Sequence, residues 1–276
     1  MITRLESEQS VKEYLDIMDH RKTEQLIDTL DKVEQNRKEC YIREFSIEHF
    51  HDSKVFETLI PKICKIFREE NEELTGFENE EILAEYQIYK TPGYVYMKGN
   101  VQIYSAGKQA ADISAFPEGI AVAVGSEEDV PDICPDQTID KVFTIENLTS
   151  FYRFKQEHSL VIYLGGYHNH SRRNLLMQIY QKLPDAQYYH FGDLDAGGFY
   201  ILEHLKRKTG IPFQMFQMDI ETLKKYEDYA KPLTENDKKR LMQLEKMELP
   251  DKERKLITYM LQKGIKLEQE CISESQ

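Results

Sequence analysis

Tyr189-His190-Phe191-Gly192-Asp193-Leu194-Asp195-Ala196-Gly197-Gly198-Phe199 runs an apolar strand into two carboxylates and then into a glycine-opened helix. In an extended chain, side chains two apart point the same way, so Asp193 and Asp195 present their carboxylates together at the strand's C-terminal edge. Two like charges a few ångströms apart repel. Either one carboxylate stays protonated or a cation neutralises both, and with oxygen-only ligands the expected ion is Mg²⁺ or Mn²⁺. A solvated turn has the same composition, because Asp and Gly are common where a strand ends. The flanking sequence must separate the two readings.

Around this stretch, strand and helix alternate. Val142 to Ile145 is a short buried-type strand ending on Glu146-Asn147, and Leu148 to Glu157 follows as helix. Leu160 to Leu164 is a second strand closed by Gly165-Gly166, and Ser171 to Leu183 a second helix. Tyr188 to Phe191 is the third strand, Phe199 to Lys208 its helix, and Phe213 to Met218 a fourth strand. Repeated β-α-β units imply a mostly parallel sheet with right-handed crossovers. Every loop after a strand then opens on one sheet edge, where open α/β sheets place their ligands. Glu146, Gly165-Gly166 and the Asp193/Asp195 pair fall along that edge, which favours the metal reading over the turn.

The sequence divides into residues 1–130, a helical arm plus a small β-rich domain, and residues 139–276, the α/β domain with C-terminal helices. Two helices are expected between Glu8 and Cys40, and another over Ser53 to Glu70, with Val55, Phe56, Leu59, Ile60, Ile63 and Phe67 on one stripe. The acidic run from Glu69 to Glu85 reads as solvated face or loop. Short β-like runs follow at Tyr94 to Met97, Val101 to Tyr104 and Ile120 to Val124, with Gly99-Asn100 as a tight hairpin turn. Glu127 to Thr138, with Pro131 and Pro135, reads as a linker. Glu221 to Lys263 is mostly charged helix.

A chain of 276 residues, 40% hydrophobic, is long enough for a substantial core. No apolar run approaches the roughly 20 residues of a membrane span, and Met1-Ile2-Thr3-Arg4-Leu5-Glu6 is not a signal peptide, so a cytoplasmic protein is expected. Cys40, Cys64, Cys134 and Cys271 are scattered, as reduced thiols are. The net charge of −13 argues against unspecific coating of nucleic acid by the whole surface. A local basic site survives this test: from Lys141 to Gly210, nine Lys and Arg stand against six Asp and Glu.

An acidic residue after the first strand, D-x-D after the third and glycine beyond it resemble the Toprim pattern of topoisomerases, primases and several nucleases. The sequence resembles in particular the C-terminal region of JetD, the nuclease subunit of Wadjet plasmid-defence systems. The matching pieces are Val142-Phe143-Thr144-Ile145-Glu146-Asn147-Leu148-Thr149-Ser150-Phe151, the Leu164-Gly165-Gly166 turn, Gly192 to Phe199, and Leu267-Glu268-Gln269-Glu270. Ser53-Lys54-Val55-Phe56-Glu57 resembles the family's segment before the Toprim fold. The chain is shorter at its N-terminus than a complete subunit of this kind is expected to be, and a DNA-binding arm that is reduced, separate or differently built is the expectation. The topoisomerase VI A subunit is a related architecture that cuts with an upstream tyrosine; no Tyr here matches that motif, so a tyrosyl mechanism is not carried over.

The resemblance implies a metal-dependent DNA endonuclease beside a ring-shaped SMC-type motor, with a homodimer as the expected assembly. Asp193 and Asp195 are implied to hold Mg²⁺ or Mn²⁺, and Glu146 to act as general acid/base or to complete the metal site. Glu268 and Glu270 are implied near a second metal, against the alternative of a frayed acidic terminus. Arg172 and Arg173, just inside the helix after Gly165-Gly166, are candidates for DNA phosphate contacts or for a solvent-facing turn. His168 and His170 read as hydrogen-bonding loop residues rather than ligands. Two other functions stay open: a non-cleaving Toprim-fold DNA-binding or structural subunit, and an acid-dyad phosphotransferase. The latter ranks last, because its D-x-D follows the first strand of the fold and carries a hydroxyl residue where Gly197 stands here.

Overall fold

The computed structural model describes Tyr14, residues 19–71, Leu74 and residues 77–90, 93–124, 131–165 and 170–272. Met1–Pro92 and Gly93–Gln276 form separate compact units. The first holds α1 (His20–Gln35), β1 (Cys40–Tyr41), α2 (Ile42–Phe50), α3 (Val55–Glu70), α4 (Asn79–Glu85) and β2 (Ile88–Tyr89). The stripe expected on α3 buries Phe56, Ile63 and Phe67, while the expected helix over Val11, Leu15 and Met18 lies outside the described residues. Part of the acidic run is a helix that buries Ile82 and Leu83 and keeps Glu80, Glu81 and Glu85 exposed or half-exposed, a solvated face. Glu81 folds back onto the Glu78 backbone N–H at 2.6 Å and caps α4.

The second unit contains β3 (Gly93–Lys98), β4 (Val101–Ser105), β5 (Lys108–Asp112), β6 (Ile120–Val124), β7 (Asp132–Pro135), β8 (Lys141–Ile145), α5 (Leu148–Arg153) and β9 (Ser159–Tyr163). It continues with α6 (His170–Lys182), β10 (Gln187–Phe191), α7 (Ala196–Thr209), β11 (Gln214–Met215), α8 (Ile220–Lys225), β12 (Lys231–Pro232), α9 (Glu235–Leu244), α10 (Asp251–Lys263) and β13 (Ile265–Lys266). A six-stranded sheet has the order β11-β10-β8-β9-β3-β6; its first four strands are parallel and β3 joins β9 antiparallel. The expected mostly parallel α/β sheet is therefore present. The β-rich stretch that the sequence groups with the N-terminal arm belongs to this sheet, through β3 and β6, and to a three-stranded sheet of order β5-β4-β7.

Two local expectations are corrected. Gly99-Asn100 does not make a hairpin, because β3 and β4 enter different sheets. Gly99 has φ +139° and packs so closely on β9 that a Cβ would stand 2.5 Å from the Ser159 carbonyl oxygen. The tight hairpin is instead at Ala106-Gly107, both with positive φ, between β4 and β5. The supposed linker carries β7, paired with β4 from Asp132 to Pro135, and Pro135 sits at the strand's end, where a missing N–H is tolerated.

Alternation along the sheet fills two cores. Val142, Leu160, Ile162 and Tyr188 face one side under Leu175, Leu176 and Ile179 of α6 and Leu202 and Leu205 of α7. Phe143, Ile145, Val161 and Phe191 face the other, under Phe151 of α5, Leu241 of α9 and Leu256 and Ile257 of α10. The loops after the neighbouring strands β8 and β10 thus leave toward opposite faces, through α5 and α7. That divergence opens a crevice at the strands' C-terminal ends, the topological switch point of an open α/β sheet. Among the described residues, no helix is long and apolar enough to cross a membrane.

Candidate metal centre

Glu146 and Asp193 stand on the two sides of this crevice. The Glu146 backbone N–H extends the ladder by donating to the Phe191 carbonyl at 3.0 Å, and Asn147 then caps α5 by accepting from Thr149 at 2.7 Å and Ser150 at 3.1 Å. From β10 the chain stays extended. Leu194 is fully buried and exchanges two backbone hydrogen bonds with Leu267, at 2.9 and 3.1 Å, while Asp193 and Asp195 on either side remain partly exposed. Alternation about a buried leucine is what places the two carboxylates on one side.

The Asp193 backbone N–H donates to Glu146 Oε2 at 3.3 Å. Gly192 is what lets the glutamate lie there: a Cβ at that position would come within 2.6 Å of Glu146 Oε2 and 2.9 Å of His190 Nε2. Below it, His190 is buried and contacts Thr144 Oγ1 at 3.0 Å through Nδ1, and burial pushes its imidazole down to about 3, so it is neutral. Asp195 caps α7 by accepting the Gly198 N–H at 2.9 Å. A Cβ on Gly198 would meet the Asp193 carbonyl oxygen at 2.2 Å, and this neighbour is backbone that cannot swing aside. Gly198→Ala is therefore expected to cost about 1–3 kcal/mol of stability through the forced shift of the loop. Denaturant unfolding of the variant against wild type checks this.

The C-terminal segment completes the centre. Gln269 donates its backbone N–H to Asp193 Oδ1 at 2.7 Å. Its side chain, wholly buried, accepts the Asn147 N–H at 2.9 Å through Oε1 and donates to the Phe191 carbonyl at 3.0 Å through Nε2. Glu270 accepts from Asn147 Nδ2 at 2.5 Å, and Glu268 pairs with Lys231 at 2.5 Å. Burial pushes the Asp193 carboxyl up to about 6, the Gln269 N–H opposing it and the charges of Asp195, Glu270 and Glu268 adding to it.

Glu146, Asp193, Asp195, Glu268 and Glu270 thus gather around one strand end. Among the described residues no set of three or more His, Cys, Asp or Glu side chains stands in ready ligating arrangement. The donor chemistry nevertheless fits a hard divalent ion. Asp193 and Asp195 each use Oδ1 inside the protein, and Oδ2 of each has no hydrogen-bond partner among the described residues. A largely buried Asp193 carboxylate with the Asp195 charge beside it is relieved by an oxygen-preferring cation.

Arg172 and Arg173 occupy α6. Arg172 donates to the Leu164 carbonyl at 2.7 Å and to the Tyr94 carbonyl at 3.4 Å, and Arg173 is only 8% exposed. Neither is a solvent-facing residue of a helical turn. Gly166 and His168 lie outside the described residues, and His170 opens α6. The residue that sequence reasoning passed over is Gln269; its signal was its place between the two glutamates of the matching Leu267 to Glu270 segment.

Among known proteins, the Wadjet protein JetD of Bacillus cereus (strain Q1) is 28% identical over 263 residues, which is 94% of this chain and 63% of that protein. The chain thus spans less than two thirds of the curated relative's length. A family model described as "Wadjet protein JetD, C-terminal" matches residues 128–276, more than half of the chain and all of the carboxylate centre. By its sequence, the chain belongs to the family of the JetD C-terminal region.

Proposed function

We propose that the chain is a Mg²⁺- or Mn²⁺-dependent DNA endonuclease with a Toprim-type domain, acting in a Wadjet-like plasmid-defence system in the cytoplasm. The observation that carries this reading is the meeting of Glu146 and Asp193 across the switch point, with the Asp193 N–H on Glu146 Oε2. Membership of the JetD C-terminal family supports it.

In this reading Asp193 and Asp195 would hold the ion, with Glu268 and Glu270 as candidates for a second one. When bound, the divalent cation acts as a Lewis acid on a phosphate oxygen and stabilises the charge that builds up as phosphorus is attacked. Glu146 takes the proton from the attacking water, and the departing oxygen leaves protonated from solvent; one P–O bond forms and one breaks. The Asp193 N–H would help orient the Glu146 carboxylate through Oε2. Because the chain carries a net charge of −13, DNA reaches the centre through local contacts and through partners: an SMC-type motor and a second copy of this chain.

The test incubates the purified chain with supercoiled plasmid, linear duplex and single strands in Mn²⁺, in Mg²⁺ and in EDTA, alone and with an SMC-type motor. Nicking or linearisation of closed circular DNA that EDTA abolishes is the expected result. Absence of metal-dependent cutting in every arm would overturn the endonuclease and leave the non-cleaving subunit.

A further inference from the structure

The carboxamide and the backbone N–H of Gln269 make three hydrogen bonds, to the end of β10 and to the two loops that carry the carboxylates. Its Oε1 takes the N–H of Asn147, the residue after Glu146; its Nε2 gives to the carbonyl of Phe191, two residues before Asp193; its backbone N–H gives to Asp193 Oδ1. The carboxamide is fully buried and both of its heavy atoms are satisfied. A carboxamide is the group suited to this place, since it accepts at one end and donates at the other without adding charge beside Asp193. The loops after β8 and β10 diverge toward opposite faces, so the β8–β10 ladder holds them only as far as the Glu146 N–H. Beyond that point the Glu146 carboxylate, on the Asp193 N–H, and the Gln269 carboxamide span the gap.

We propose that Gln269 is the positioning residue of the metal centre, setting the separation of Glu146 from Asp193 and turning Asp193 so that Oδ1 is engaged and Oδ2 faces the ion. This rests on the reading of the centre as a divalent-cation site. Gln269 acts through its partners, Asn147, Phe191 and Asp193. Groups that orient metal ligands in this way are worth about 10- to 100-fold in metal affinity or activity.

The experiment is calorimetric titration of Mn²⁺ into wild type, Gln269→Met and Gln269→Asn, with thermal melting alongside. Gln269→Met keeps the volume and the backbone N–H but loses both carboxamide bonds. Gln269→Asn keeps the chemistry on a stem too short to reach Asn147 and Phe191 together. Ile179→Val, buried on the opposite face of the sheet, serves as a control for destabilisation alone.

Mn²⁺ affinity is expected to fall about 10- to 100-fold in both Gln269 variants and to stay at the wild-type value in Ile179→Val, even where the melting temperatures match. Wild-type Mn²⁺ affinity in the Gln269 variants, or an equal loss in Ile179→Val, overturns the assignment while leaving the metal centre standing. Failure of wild type itself to bind Mn²⁺ overturns the metal centre and, with it, the role of Gln269.

Discussion

Asp193→Asn and Glu146→Gln will each lower Mn²⁺-supported nicking of supercoiled plasmid by about 10³-fold or more, with no loss of folded protein. Both changes are isosteric and both retain an internal hydrogen bond: the carboxamide oxygen placed at position 193 still accepts the Gln269 N–H, and the one placed at position 146 still accepts the Asp193 N–H. What each removes is a carboxylate: in the proposed mechanism, a group that would hold the ion at position 193 and the proton acceptor at position 146. Because the scaffold is kept, loss of activity cannot be assigned to a displaced loop. Residual nicking within tenfold of wild type in both variants would sink the catalytic assignment, and near-ultraviolet circular dichroism shows whether each variant has kept its packing.

The second large effect is on stability and has a definite sign. The Asp193 carboxyl is pushed up from its ordinary 3.8 to about 6, so between these values the folded protein binds more protons at this site than the unfolded chain does. Stability contributed by this group is complete below about pH 4 and is lost as pH rises through about 6, by at most about 3 kcal/mol. Wild type without metal should therefore lose melting temperature relative to Asp193→Asn between pH 4 and pH 7, the variant lacking the titration. Divalent metal binds the ionised form and reverses the loss, so saturating Mg²⁺ should raise the wild-type melting temperature more at pH 8 than at pH 5. An equal Mg²⁺ shift at both pH values, or the same shift in Asp193→Asn, would contradict a cation seated on this carboxylate.

The strands and helices from Lys141 to Thr209 were readable because each is a short apolar run or periodic stripe bounded by glycine, proline or a polar cap. Even the edge holding Glu146 and Asp193 followed from β-α-β order alone. The sheet's other half was not legible. β3 joins β9 antiparallel across roughly 60 residues of sequence, and nothing in the alternation of Tyr94 to Met97 says whether its partner is the next strand or a distant one. The same blindness produced the Gly99-Asn100 hairpin, since a glycine needed for close approach to the Ser159 carbonyl looks like a glycine needed for a turn. In the centre, the carboxylates were legible as chemistry. Gln269 was not, because an uncharged amide shows its use only when its partners, Asn147 and Phe191, are seen beside it.

The bridge between Leu194 and Leu267 joins residues made far apart in time as well as in sequence. During synthesis, β8 and β10 emerge with their acidic ends long before Leu267 and Gln269 do. Until then Leu194 lacks the backbone partner it has in the finished fold, and the loops bearing Glu146 and Asp193 lack the carboxamide that ties them. In the nuclease proposed for this chain, such an order leaves the growing polypeptide without its finished centre until Gln269 has emerged.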